Sequence, residues 1–165
     1  MPALDSRRGL IEAGFQGFAK LVFLQEAFHK QVPKVAGLFA IVRESDSPPE
    51  FLELPQARAL PPNAWRVDTE HLRNRWVPDS SVLYLGAAGP DHRDHSLRDA
   101  ISRLDWPSIH QTSALTHHGQ LIWYLRGSQE LEAAWCTEPS LSLEEALAAF
   151  AESHGRVPFG NASAA

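Results

Sequence analysis

Val35-Ala-Gly-Leu-Phe-Ala-Ile-Val42 is a dense apolar run, rich in β-branched residues and free of charge. An unbroken run of this length fits a strand buried on both faces, whereas an amphipathic helix would return polar residues every third or fourth position. Val82-Leu-Tyr-Leu85 repeats the signature. Two such strands, separated by polar and Pro-rich chain, set the frame: a central sheet with helices covering it.

Toward the N-terminus, Phe18, Leu21, Val22, Leu24 and Phe28 recur at helical spacing between Phe15 and Lys30, which predicts a short helix closed off by Pro33. Residues 1–8 read as a loose terminus. Beyond the first strand, Ser45 to Pro62 is rich in Pro and acids around Phe51-Leu-Glu-Leu54, predicting a hairpin partner strand and then a loop. Val67 to Trp76 predicts a short helix or turn with Asp68 or Thr69 as its cap. After the second strand, Gly86 to His95 reads as a loop. Ser96 then caps a helix with Leu97, Ile101 and Leu104 on one face. Pro107 to Gly119 is a further loop. Leu121 to Leu125 and Leu131 to Trp135 predict two antiparallel strands, with Gly127-Ser-Gln between them as a turn or a short helical start. Ser142 and Glu145 form an S-x-x-E capping box that opens the last helix, and Gly155 ends it.

The fold class expected is α/β in its α+β form, a small antiparallel-dominated sheet flanked by helices. The chain of 165 residues suits one core. Residues 1–34 form a helical extension packed on the domain, residues 35–161 the domain itself with an insertion at about 45–80, and residues 162–165 a flexible tail. No apolar run is long enough to cross a bilayer, and no cationic start leads into an apolar signal core. With Cys136 alone, no internal disulfide can form. A cytoplasmic protein without a membrane partner is expected.

The net charge of −5 argues against bulk electrostatic attraction to nucleic acid. The charge is uneven, however: from Arg58 to Arg103 there are seven arginines and no lysine, and between Arg126 and Arg156 the charged residues are all glutamates. That division fits a nuclease-like site, although two ordinary solvated faces are the simpler reading of charge alone.

A further pattern runs through these elements. Gly37-Leu-Phe39 and Tyr84-Leu-Gly86 lie on the two strands, and a helix with arginines follows at Ser96 to Leu104. Gly119-x-Leu-Ile-Trp-Tyr-Leu125, Glu144-x-x-Leu147, Phe150 and Gly155-Arg-Val-Pro-Phe-Gly-Asn161 complete the order. From Val35 to Asn161 the chain resembles the GIY-YIG endonuclease superfamily, in particular small bacterial members with a long insertion between the two motif halves and a Pro-Pro-x-Phe-Leu stretch like Pro48 to Leu52. The resemblance implies phosphodiester hydrolysis of nucleic acid with one divalent ion, Mg²⁺ or Mn²⁺.

Carried over by position, Tyr84 is the tyrosine that activates water, Glu144 the metal ligand (with Glu145 one position on as an alternative) and Asn161 a hydrogen-bonding brace. A hard cation takes carboxylate and phosphate oxygens, and a fixed positive charge stabilises the charge that develops. Each has a plainer role open to it: Tyr84 as a core aromatic, Glu144 or Glu145 as a helix-start acid, Asn161 as a turn residue.

Three positions depart from the pattern. Phe39 stands where the first half has Tyr, Ala87 where many members carry Lys, and Ala100 where Leu97-x-x-Arg is expected. Loss of one electrostatic donor costs ~10²–10³ in rate. Arg98 and Arg103 on the same helix are the candidate substitutes, with Arg103 the nearer in angle to position 100. The catalytic site is therefore expected to be weakened or lost. The alternative function is a catalytically inactive module binding nucleic acid or protein, or an accessory subunit.

His92-x-x-His95 has metal-ligand spacing but lacks a confirming acid or Cys partner, and His117-His118 point opposite ways if on a strand. Loop or edge histidines are the simpler reading. Trp123 and Trp135 read as core. Trp65, Trp76 and Trp106 either stack on single-stranded bases, form a protein interface or pack the insertion onto the sheet.

Overall fold

A computed structural model describes residues 2–26, 30–55, 66–104 and 120–161. The architecture is α+β. Helix α1 (Arg7–Glu12) and strand β1 (Gln16–Lys20) lead into helix α2 (Leu21–Glu26), followed by strand β2 (Gly37–Val42) and helix α3 (Thr69–Arg75). Strand β3 (Val82–Ala88), helix α4 (Leu97–Ser102), strand β4 (Glu132–Cys136) and helix α5 (Leu143–His154) complete the order. Short 3-10 turns lie at Gln120–Tyr124, Ser128–Glu130 and Phe159–Asn161.

The apolar run ending at Val42 supplies the central strand β2. All six residues of β2 are buried, and the strand pairs antiparallel with β3 on one side and β4 on the other, in the order β1-β4-β2-β3. Strand alternation sends Phe39 and Ile41 to one face, against Leu97, Ala100, Ile101 and Trp123. It sends Leu38, Ala40 and Val42 to the other, against Leu10, Ala146 and Phe150. Helix α4 thus covers one face and α5 the opposite one. Both faces being dry explains why β2 carries no polar residue.

Helix starts follow the expected chemistry. Asp68 caps α3 by accepting from Glu70 N, Ser96 caps α4 by accepting from Asp99 N, and Ser142 with Glu145 closes a full capping box on α5. Gly155 ends α5 at φ +73°, a left-handed backbone conformation that residues with a side chain rarely adopt.

Four expectations are corrected. The N-terminus is not loose: Ser6 caps α1, and Leu4 and Leu10 are buried. The stretch expected as one helix from Phe15 begins instead as β1, which pairs with β4 through a bulge between Gly17 and Ala19 before the chain turns into α2. Phe51 to Leu54 forms no hairpin with β2. Phe51 makes a single antiparallel bridge to Leu125, and β2 already has both neighbours filled. Leu121 to Leu125 is not a strand either: Gln120–Tyr124 is a 3-10 turn whose residues 121–124 are buried. In that run, periodicity could not separate a buried strand from a buried helical turn.

Residues 56–65, 105–119 and 162–165 lie outside the described residues, and with them Trp65, Trp106, His117, His118 and the expected tail. Trp76 is half-buried in an edge-on cluster with Phe51 and Phe159, at ring distances of 5.8 and 5.5 Å. Among the described part of the insertion, this tryptophan packs inward. No described helix is long and apolar enough to cross a membrane.

Candidate functional site

Tyr84 lies on β3 opposite Ile41, so its ring emerges on the face that α4 covers. It meets the Phe39 ring at 5.8 Å. Gly86 makes room for this pair, because a Cβ there would collide with Phe39 Cζ and come within 2.8 Å of Tyr84 Cε1. Beside the rings is a cavity of about 310 Å³, lined among others by Ala87, His92, Asp94, Ala100 and Arg103. The two aromatic positions are set by neighbouring strands, Ala100 by the short helix α4, and Asp94 by the loop between β3 and α4.

Burial pushes the Tyr84 phenol up to about 12, and the nearby Asp94 carboxylate adds to the shift. Tyr84 is consequently a neutral hydroxyl at physiological pH, able to donate a hydrogen bond and poorly suited to removing a proton. Arg103, at the C-terminal cap of α4, sends its guanidinium to Asp94, with Nε 3.4 Å from Oδ1. Most of the Arg103 side chain stays exposed, so the cavity has a cation at its rim.

Arg98 takes a different course. Its Nε donates to the Val32 carbonyl at 2.9 Å, tying α4 to the segment before β2, and it does not line this cavity. The helix therefore separates the two candidate arginines: one is built into the fold and the other is presented at the cavity.

Glu144, in the first turn of α5, is exposed and lines a neighbouring cavity of about 420 Å³ together with Gly37, Thr137 and Ser142. Ala87, His92 and Leu143 line both cavities, so the two adjoin. Glu145 is occupied elsewhere: its carboxylate accepts from Ser142 N at 2.8 Å in the capping box. Asn161 enters neither cavity. Its amide is bonded to the backbone of Leu85, the residue after Tyr84, by an acceptor bond of 2.9 Å and a donor bond of 2.7 Å. His92 lines both cavities, and His95 is exposed in the same loop.

Among the described residues no three His, Cys, Asp or Glu side chains converge as a metal cage. A zinc-type site would need such a set. Mg²⁺ demands less from protein, since it keeps several waters and takes one or two carboxylates plus substrate phosphate. The single exposed carboxylate of Glu144 fits that second pattern.

Asp94 and Leu143 line these cavities without standing out in the sequence as site residues. Leu143 was legible in principle as the first residue after a strong cap. Asp94 had no such signal, because nothing in a loop sequence says which side chain turns inward.

No family model, no curated protein and no solved structure matches this chain.

Proposed function

We propose that this domain handles nucleic-acid phosphodiesters as a GIY-YIG-like nuclease, with Tyr84, Arg103 and Glu144 at its centre and a weakened catalytic site. One observation carries the reading. Positions 39, 84, 87 and 100 were picked out by motif register alone, from two strands and a helix, and all four line a single cavity. Arg103, one turn beyond Ala100, brings a guanidinium to the same cavity.

In this reading the neutral Tyr84 hydroxyl orients the attacking water, and Arg103 faces the phosphate oxygens. Glu144 would hold Mg²⁺ or Mn²⁺, which supplies Lewis-acid stabilisation of the phosphoryl charge. Asn161 acts at one remove, by fixing the backbone next to Tyr84. Arg98 has a structural part. A cytoplasmic setting fits the lone Cys136.

A second reading, a binding module without activity, is favoured by Phe39 and Ala100, which line the cavity with apolar atoms where the pattern has a hydroxyl and a cation. Its ligand would be nucleic acid or a protein partner.

The deciding experiment is cleavage of labelled single- and double-stranded DNA and RNA with Mg²⁺ or Mn²⁺, comparing wild type with Glu144→Ala and Tyr84→Phe. Metal-dependent cleavage abolished by Glu144→Ala supports the nuclease. Binding without cleavage, kept in Glu144→Ala and lost in Arg103→Ala, supports the binding module. Neither binding nor cleavage of any of these substrates overturns both.

A further inference from the structure

Asp94 has two properties that conflict unless it has a purpose. Its side chain is only 15% exposed, and Oδ1 is fully enclosed without a hydrogen bond among the described residues. A buried carboxylate oxygen left without a donor is costly, and such groups call for an explanation. The residue is not loosely placed: Gly89 N donates to its carbonyl at 2.9 Å, closing the loop on itself, and Ser96 caps α4 two residues on.

The neighbour within reach is Arg103. At 3.4 Å, Nε and Oδ1 are an ion contact that falls short of a directed hydrogen bond. No other ion pair or hydrogen bond among the described residues engages the Arg103 guanidinium, whose side chain is 64% exposed. The enclosed oxygen and the uncommitted guanidinium are thus each other's available partner. A long exposed side chain would otherwise lose entropy when fixed over a ligand.

We infer that Asp94 is the positioning residue of this site: its enclosed carboxylate holds Arg103 by the Nε side, leaving the two outer guanidinium nitrogens for a phosphate. An arginine gripped this way presents a planar fork that suits bidentate recognition of phosphate oxygens. The carboxylate compensates for the arginine's displacement from position 100 to position 103, where helix geometry alone would aim it elsewhere. Asp94 also contributes to keeping Tyr84 protonated, so one side chain sets the state of both groups at the cavity. The phosphate ligand rests on the reading under Proposed function; the Asp94–Arg103 relation does not.

The test uses the full chain with isotopically labelled arginine, in wild type, Asp94→Asn, Asp94→Glu and Arg103→Ala, with a DNA duplex of random sequence in Mg²⁺ as probe. In Asp94→Asn the Arg103 Nε–H resonance should move to the position of a solvated arginine, and duplex binding should weaken by about 10-fold, the scale of one hydrogen bond to a charged group. Asp94→Glu should restore part of both, which separates positioning from a failure to fold. In the Arg103→Ala background, Asp94→Asn should cost no further affinity. An Arg103 resonance indifferent to Asp94→Asn overturns the inference. So does tighter duplex binding by Asp94→Asn, which would mark the carboxylate as merely repelling the phosphates. Duplex binding indifferent to Arg103→Ala overturns the phosphodiester reading instead, and the resonance still decides the Asp94–Arg103 relation.

Discussion

Asn161 grips both backbone polar groups of Leu85: its Oδ1 accepts from Leu85 N at 2.9 Å, and its Nδ2 donates to Leu85 O at 2.7 Å. Leu85 sits on β3, the edge strand of the sheet, so the amide does there what a neighbouring strand would do. Asn161→Ala should lose both bonds and about 1–3 kcal/mol of stability. In urea denaturation the midpoint should fall with the slope unchanged. Asn161→Asp should also destabilise, because a carboxylate cannot donate to the Leu85 carbonyl.

The two arginines of the α4 region should separate cleanly. Arg98→Ala breaks the bond to the Val32 carbonyl and should cost about 1–3 kcal/mol in stability, with nucleic-acid binding little changed. Arg103→Ala leaves the enclosed Asp94 oxygen without its neighbour and should cost about 1 kcal/mol in stability, but its main effect should be reduced binding or cleavage. Thermal melts beside a binding titration check both at once.

Adjacent glutamates on α5 should part in the same way. Glu145→Ala removes one arm of the capping box and should lower stability by ~0.5–2 kcal/mol without changing metal response. Glu144→Gln should leave the melting temperature nearly unchanged and remove any response to Mg²⁺ or Mn²⁺. Metal titration followed by cleavage or by a shift in the melt tells them apart.

Tyr84 and Tyr124 are the only tyrosines in the chain, and burial pushes both phenols up to about 12 from an ordinary 10.0. Ultraviolet titration of the native protein should show no phenolate near pH 10, whereas in strong urea both should ionise there. The sign for stability follows. Below pH 10 both states hold the proton and the contribution is complete; between 10 and 12 the unfolded chain releases protons that the fold retains, so stability falls as pH rises. Tyr84→Phe should remove part of that fall.

Sequence carried the centre of the fold and the helix caps, because both are local. A run with no polar residue can only be a two-faced interior strand or a buried helix, and Ser96, Asp68 and Ser142 announce helix starts through single side-chain bonds. The failures are also local. Phe18 takes a positive φ of 52° inside the β1 bulge, so the strand's alternation is broken where a helical spacing shows through. Leu121 to Leu125 is buried throughout, which erases periodicity of either kind. At the site, helical angle already favoured Arg103 over Arg98. What sequence could not give was the carboxylate beside Arg103, since loop side chains turn inward for tertiary reasons.

Phe159 lies 5.7 Å from Phe51 and 5.5 Å from Trp76, so the last turn of the described chain completes an aromatic cluster begun in the insertion. During synthesis the insertion emerges long before Phe159 does. Its rings must wait, partnerless on one side, until the C-terminal end of the domain leaves the ribosome. The Phe51–Trp76 face is therefore completed late although it is made early, and shortening the chain before Phe159 would unsettle rings made about a hundred residues earlier, at a co-translational pace of ~5–20 residues per second.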